Sequence, residues 1–168
     1  MSLTAVRQAL RETLLIKENT GNMMRDQSTQ LLRSINMSVT ESRRQILDLF
    51  MEKKGGALKH ADIEKKLEHL DRVTIYRTLQ VFTEKGVIHS IPGSDGSAKY
   101  ALCHSHCSEG HHHDNHVHFQ CVNCGSTQCL DEVIVPLVKM PMGFVTERIE
   151  MVISGLCNLC SVKMQQSY

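Results

Sequence analysis

Two Cys-x-x-Cys pairs, Cys121/Cys124 and Cys157/Cys160, narrow what this 168-residue chain can fold into more than any other feature. Each pair offers two thiols from one tight turn, and the 32 residues between Cys124 and Cys157 are enough to bring the two turns together. Four thiolates in two clips suit a tetrahedral Zn2+, whereas single cysteines in a small protein are more often buried or redox-active thiols. A site filled by four sulfurs has no open position, so it is expected to be structural rather than catalytic. Gly125 directly follows the first pair, where a knuckle turn favours positive φ. Any further chemistry then falls to the histidines. There are ten, and eight lie between His89 and His118.

The length allows one ordinary domain or two small ones, and 41% apolar residues suffice for packed cores without a single Trp. No run of about 18 apolar residues occurs, and the first residues lack a basic-then-apolar leader pattern, so the chain reads as cytoplasmic. A reducing compartment keeps thiols free for metal. The net charge of +1 is unevenly placed: 15 Lys+Arg against 11 Asp+Glu over 1–92, and 4 against 7 over 93–168. A basic first half fits a nucleic-acid-facing surface, though a solvated helical face would look similar.

Helical spacing dominates the first 90 or so residues. Val6, Leu10 and Leu14 mark an N-terminal helix over 3–18, and a second helix runs roughly over 28–36. Thr40 reads as the N-cap of a helix from Glu41 to Lys54, with Ile46, Leu47, Phe50 and Met51 inward and Gly55-Gly56 ending it. A short helix over 60–69 and another from Val73 to Lys85, capped by Asp71 and stopped at Gly86, complete the set. The period then changes to two in Val87–Ile91 and Lys99–Cys103, around the turn Pro92-Gly93-Ser94-Asp95-Gly96. Helices followed by a hairpin describe a winged helix-turn-helix, a DNA-binding module. Beyond a His-rich loop at 104–115, strands are expected at 116–121 and 126–130, a short helix at 131–139, and a long strand from Phe144 to Ser154.

Four segments carry a family resemblance. They are Ser38-Val39-Thr40-Glu41-Ser42-Arg43, Val73-Thr74-Ile75-Tyr76-Arg77-Thr78-Leu79, the stretch His116-Val117-His118-Phe119-Gln120-Cys121-Val122-Asn123-Cys124-Gly125, and Gly143-Phe144 through Cys157-Asn158-Leu159-Cys160. In this order, over roughly 28–162, they resemble the ferric-uptake-regulator family of metal-sensing bacterial repressors. The resemblance implies an α+β protein: an N-terminal winged helix-turn-helix domain followed by a C-terminal αβ dimerisation domain with a structural four-cysteine zinc site. The domain boundaries expected are 1–92, a wing and hinge at 93–103, and 104–168. It implies a homodimer on a palindromic double-stranded DNA operator, with no membrane partner, no small-molecule substrate and no enzymatic turnover. On the DNA side it points to Tyr76 and Arg77, with Arg43 at a phosphate and Thr74 beside them.

The same resemblance implies a regulatory metal at the junction of the two domains, with His89, Cys103, His116 and His118 as ligands and Cys129 as a possible addition. Three imidazoles and one thiolate form a moderately soft tetrahedral set, which favours Zn2+ over Fe2+ or Mn2+. Iron and peroxide sensors of the family use more carboxylates and a His early in the second DNA-binding helix, where this chain has Ala57, with His60 nearby. Where relatives place a carboxylate after the knuckle, it has Cys129. The expectation is a Zn2+-activated repressor of zinc-uptake genes, with an iron-responsive or peroxide-sensing repressor as the alternative. Histidines that build a third site in some relatives are replaced by Asn115 and Val117, so that site is expected to be absent or rebuilt from the loop histidines. A zinc enzyme fits poorly without a His-Glu-x-x-His helix. Redox sensing through Cys103, Cys107 and Cys129 is a separate option.

Overall fold

A computed structural model describes residues 23–53, 55–93, 96–103, 116–130, 132–146 and 149–166. The helix expected over 3–18 and the His-rich loop at 104–115 lie outside the described residues.

Helix α1 covers 23–34 and buries Leu32. α2 (Glu41–Glu52) begins as its sequence dictates: Thr40 Oγ1 accepts from the Arg43 backbone N–H at 3.4 Å, satisfying one of the free donors of the first turn. Its inward face is Ile46, Leu47 and Phe50. A two-residue strand, β1 (Leu58–Lys59), precedes α3 (His60–Lys66). α4 (Arg72–Glu84) is capped by Asp71, whose Oδ1 accepts from Thr74 N–H at 2.8 Å. The Thr74 hydroxyl also bonds this carboxylate and, with the backbone bond, holds Asp71 below the usual carboxylate range. Ile75, Leu79 and Phe82 of α4 meet Ile46, Leu47, Phe50 and Ile63 in one fully buried cluster. Removing any of these aliphatic or aromatic side chains would leave a cavity costing about 2–5 kcal/mol.

β2 (Ile88–Pro92) and β3 (Ala98–Leu102) form the hairpin, and β1 pairs with the other edge of β3, giving an antiparallel sheet ordered β1-β3-β2. The second sheet is ordered β5-β4-β6, from β4 (Val117–Cys121), β5 (Thr127–Leu130) and β6 (Met151–Gly155). β4 is antiparallel to β5 and parallel to β6. α5 (Asn158–Gln165) closes the described chain.

The second half departs from expectation in one place. The described residues between β5 and β6 contain no helix, and the long strand is reduced to Met151–Gly155. Among the described residues the apolar side chains of this crossover find no cover: Ile134 and Val145 are each 90% exposed, and Leu137, Met142 and Phe144 are also open. Apolar periodicity without a covering surface does not stabilise a short helix in water.

The two halves touch along the outer edge of β5. Ala57 N–H donates to Thr127 O at 2.9 Å, Cys129 N–H donates to Gly55 O at 3.0 Å, and Gly56 bridges to Gln128. Lys99 of β3, 4% exposed, reaches the same place: its Nζ donates to Gly125 O at 2.8 Å and to Thr127 Oγ1 at 2.7 Å. A buried ammonium is tolerated only where such acceptors replace water. Substituting Lys99→Met strips both acceptors of this donor. Chemical denaturation should show a loss of roughly 1–3 kcal/mol, larger than for Lys53→Met on the surface.

Candidate metal centres

The first cluster grows from two turns. β4 ends at Cys121, and the turn to β5 carries Cys124 back beneath it, with Gly125 at φ +70° and its N–H donating to Cys121 O at 3.0 Å. β6, parallel to β4, delivers Cys157 beside this turn, and the first turn of α5 supplies Cys160. The four sulfurs lie within 4.8 Å of one another. A tetrahedral Zn2+ with bonds of about 2.3 Å sets its sulfurs about 3.8 Å apart; Cys124 Sγ and Cys157 Sγ are 3.8 Å apart. None of the described cysteines is in a disulfide.

The surroundings favour thiolate at one end of the cluster and thiol at the other. Backbone N–H groups of Cys124 and Cys157 turned toward Cys121 bring its thiol down to about 6. The Ser126 hydroxyl, followed by its backbone N–H, lowers Cys124. At Cys160 the Asn123 side chain pulls downward, but neighbouring sulfurs, Cys157 foremost, together with burial outweigh it and push the thiol up to about 11.

The second cluster joins three strands. His89 lies on β2, His118 on β4 next to His116, and Cys129 on β5 directly opposite His118. Their ligand atoms also fall within 4.8 Å of one another. His89 Nε2 is 3.1 Å from His118 Nε2 and 3.5 Å from Cys129 Sγ. Zinc bonds of about 2.0–2.1 Å to nitrogen and 2.3 Å to sulfur give edges of about 3.3 and 3.6 Å. His89 and His118 are buried, and His116 Nε2 is buried with no hydrogen-bond partner among the described residues. A buried ring nitrogen left without a partner is costly, and a cation at the centre of the cluster removes that cost. The donor set therefore fits a bound metal.

Cys103 is the residue whose place differs from the sequence-derived ligand set. Its Sγ lies 3.5 Å from His89 Nδ1, on the opposite side of the imidazole from the converging Nε2 atoms. Cys129 occupies the sulfur position of the cluster instead. Cross-strand pairing explains this: residues opposite each other in an antiparallel ladder share a face, and Cys129 faces His118.

On the winged half, Tyr76 and Arg77 are exposed on α4. Thr74 is engaged with the Asp71 cap. Arg43 donates through Nη1 to Ser38 O at 3.0 Å, at the start of α2. Lys99, the buried link from wing to knuckle, carries no signal in the sequence that separates it from any surface lysine of a strand.

The model for the ferric uptake regulator family matches residues 34–141, well over half the chain and inclusive of the second cluster. The chain belongs to the ferric uptake regulator family. A ferric uptake regulation protein from Bordetella parapertussis is 29% identical over 145 residues, spanning 82% of this chain and 97% of that protein. A peroxide operon regulator from Bacillus subtilis is 25% identical over 82% of this chain and 93% of its own length. Among solved structures, a zinc uptake regulator complexed with zinc and DNA superposes with a TM-score of 0.59 at 21% identity, covering 86% of this chain and 97% of that one. Ferric uptake regulator family members are metal-dependent, DNA-binding transcriptional regulators and not enzymes.

Two measurements check the cysteine cluster. A thiol lowered below its ordinary value favours the folded form above the ordinary thiol range and loses that contribution as pH falls through about 6, the Cys121 case. A raised thiol does the reverse, favouring the folded form until pH rises through about 11, the Cys160 case. Zinc must displace the raised Cys160 proton, whereas the lowered Cys121 thiol gives up its proton more readily. Calorimetric titration in buffers of different ionisation enthalpy, on a His118→Ala chain, should give fewer than four protons released per zinc. Gly125→Ala should cost about 1 kcal/mol and speed zinc loss to a chelator. Nothing lies within 4 Å of the added Cβ, so the cost is backbone strain alone, and Gly125→Asn should recover part of it.

Proposed function

We propose that this family member is a zinc-responsive repressor of zinc-uptake genes, acting in the cytoplasm as a homodimer on a palindromic operator. The observation that carries the metal assignment is the donor set of the second cluster. Among the described residues it holds three imidazoles and one thiol, with no carboxylate among the ligand atoms that converge. Such a set is softer than the oxygen-rich sets that suit iron or manganese.

The proposed ligands are His89, His116, His118 and Cys129. Cys103 holds the far side of the His89 ring, where an Nδ1–H pointing at sulfur leaves Nε2 as the metal-binding nitrogen. The cysteine cluster is proposed as the structural zinc site, held by Cys121, Cys124, Cys157 and Cys160. Bound at the second cluster, Zn2+ supplies bonds that tie β2 of the winged half to β4 and β5. Without that tie, the angle between the halves is left to non-metal contacts such as the backbone bonds at β5 and the Lys99 contact. Two winged helices of a dimer meet half-sites about one DNA turn apart only over a narrow range of angles. A coupling of about 1–3 kcal/mol is typical of such linkage.

The bare apolar crossover is the proposed dimer surface, covered by the same segment of a second copy. Tyr76 and Arg77 are proposed to enter the major groove, and Arg43 to meet phosphate. No helix among the described residues is long and apolar enough to cross a membrane.

Fluorescence anisotropy with duplexes enriched from a random library, in buffered free Zn2+, Fe2+ and Mn2+, tests this reading. Zinc should give tight binding at the lowest free concentration. Cys129→Ser and His89→Ala should abolish the response, and Cys103→Ser should weaken it less. Equal activation by Fe2+ would move the iron reading ahead. A silent Cys129→Ser beside an inactive Cys103→Ser would restore Cys103 as the ligand.

A further inference from the structure

The winged half carries an ion-pair arrangement on its DNA-facing side. This inference rests on the DNA-binding reading above and deepens it. Arg72 is the first residue of α4, and Tyr76, one turn later, shares its face. Both line a groove of about 590 Å3 that opens between α3, α4 and β3, with Lys59, His60 and Tyr100 on its other walls. The Arg72 side chain is 83% exposed, yet its Nε lies 3.1 Å from Glu64 Oε1 of α3. Glu64 is itself tied back, with the same oxygen 3.2 Å from His60 Nδ1. That oxygen makes no aligned hydrogen bond, so the guanidinium is drawn toward Glu64 by charge.

A carboxylate on this surface opposes phosphate, so it does not serve general affinity for DNA. It does hold one edge of an otherwise mobile guanidinium. An arginine whose Nε edge faces a carboxylate keeps both terminal nitrogens for a ligand, and that fork matches the O6 and N7 acceptors of guanine in the major groove. A free arginine at the same place would meet phosphates as readily as bases. We propose that Arg72, held in place by Glu64, reads a guanine in each half-site of the operator, with Glu64 as its positioning residue.

Selection from a random-sequence duplex library tests this, using the full chain with whichever of Zn2+, Fe2+ or Mn2+ supports binding. Wild type, Arg72→Ala, Arg72→Lys and Glu64→Gln are compared, followed by titration of duplexes changed at single base pairs. The wild-type motif should contain a guanine whose replacement weakens binding roughly ten-fold or more. With Arg72→Ala or Arg72→Lys that preference should vanish while the other positions keep theirs. Glu64→Gln should reduce the preference at the same base pair without lowering affinity for mismatched duplexes, since it removes a negative charge. The proposal is overturned if Arg72→Ala weakens all duplexes by one common factor, the behaviour of a phosphate contact, or changes nothing. A Glu64→Gln chain with the full wild-type preference overturns the positioning role. If wild type enriches no motif in any of the three metals, the DNA-binding reading falls and this inference falls with it.

Discussion

His89 is the side chain through which the two halves share chemistry. It belongs to the hairpin of the winged half, it is 1% exposed, and its ring is enclosed by His116, His118 and Cys129 of the other half on one side and by Cys103, at the end of its own hairpin, on the other. A buried imidazole needs partners for both nitrogens, and here the partners come from β4, β5 and the end of β3. Any change in how these elements meet changes the coordination geometry on offer. On the function proposed above, metal affinity and the relative placement of the halves are one equilibrium viewed from two ends.

Much of this architecture is written locally in the chain. Thr40 and Asp71 start helices because a short oxygen-bearing side chain suits the first free N–H groups, and both are found in that role. The Cys-x-x-Cys spacing encodes the knuckles because it closes a single turn. The departures arise where the determinant is non-local. The crossover between β5 and β6 has apolar periodicity, but periodicity reports only that one face wants cover and is silent on whether the same chain supplies it. The place of Cys129 among the converging atoms is a matter of strand register, since pairing it with His118 turns its sulfur into the cluster. The burial of Lys99 depends on a carbonyl and a hydroxyl 26 and 28 residues away, and nothing near it in sequence announces them.

The two clusters also divide labour by accessibility to rearrangement. The four-cysteine cluster draws all its ligands from the second half, on turns closed by backbone hydrogen bonds. Its ligands stay together whatever the winged half does. The histidine cluster draws from both halves, so it exists as a complete set only in one arrangement of them. The scaffold metal and the responsive metal proposed above could thus coexist in one small chain without differing greatly in donor chemistry.

β5 has a neighbour on each side, β4 along one edge and the Gly55–Ala57 backbone along the other. Any movement that swings the winged half away strips that second edge, leaving the peptide groups of Thr127–Cys129 to water or to another extended chain. An uncovered strand edge is a template for further strands. The docked arrangement thus guards against self-association, and on the reading proposed above the seam that senses metal is also a place where an undocked chain can misassemble.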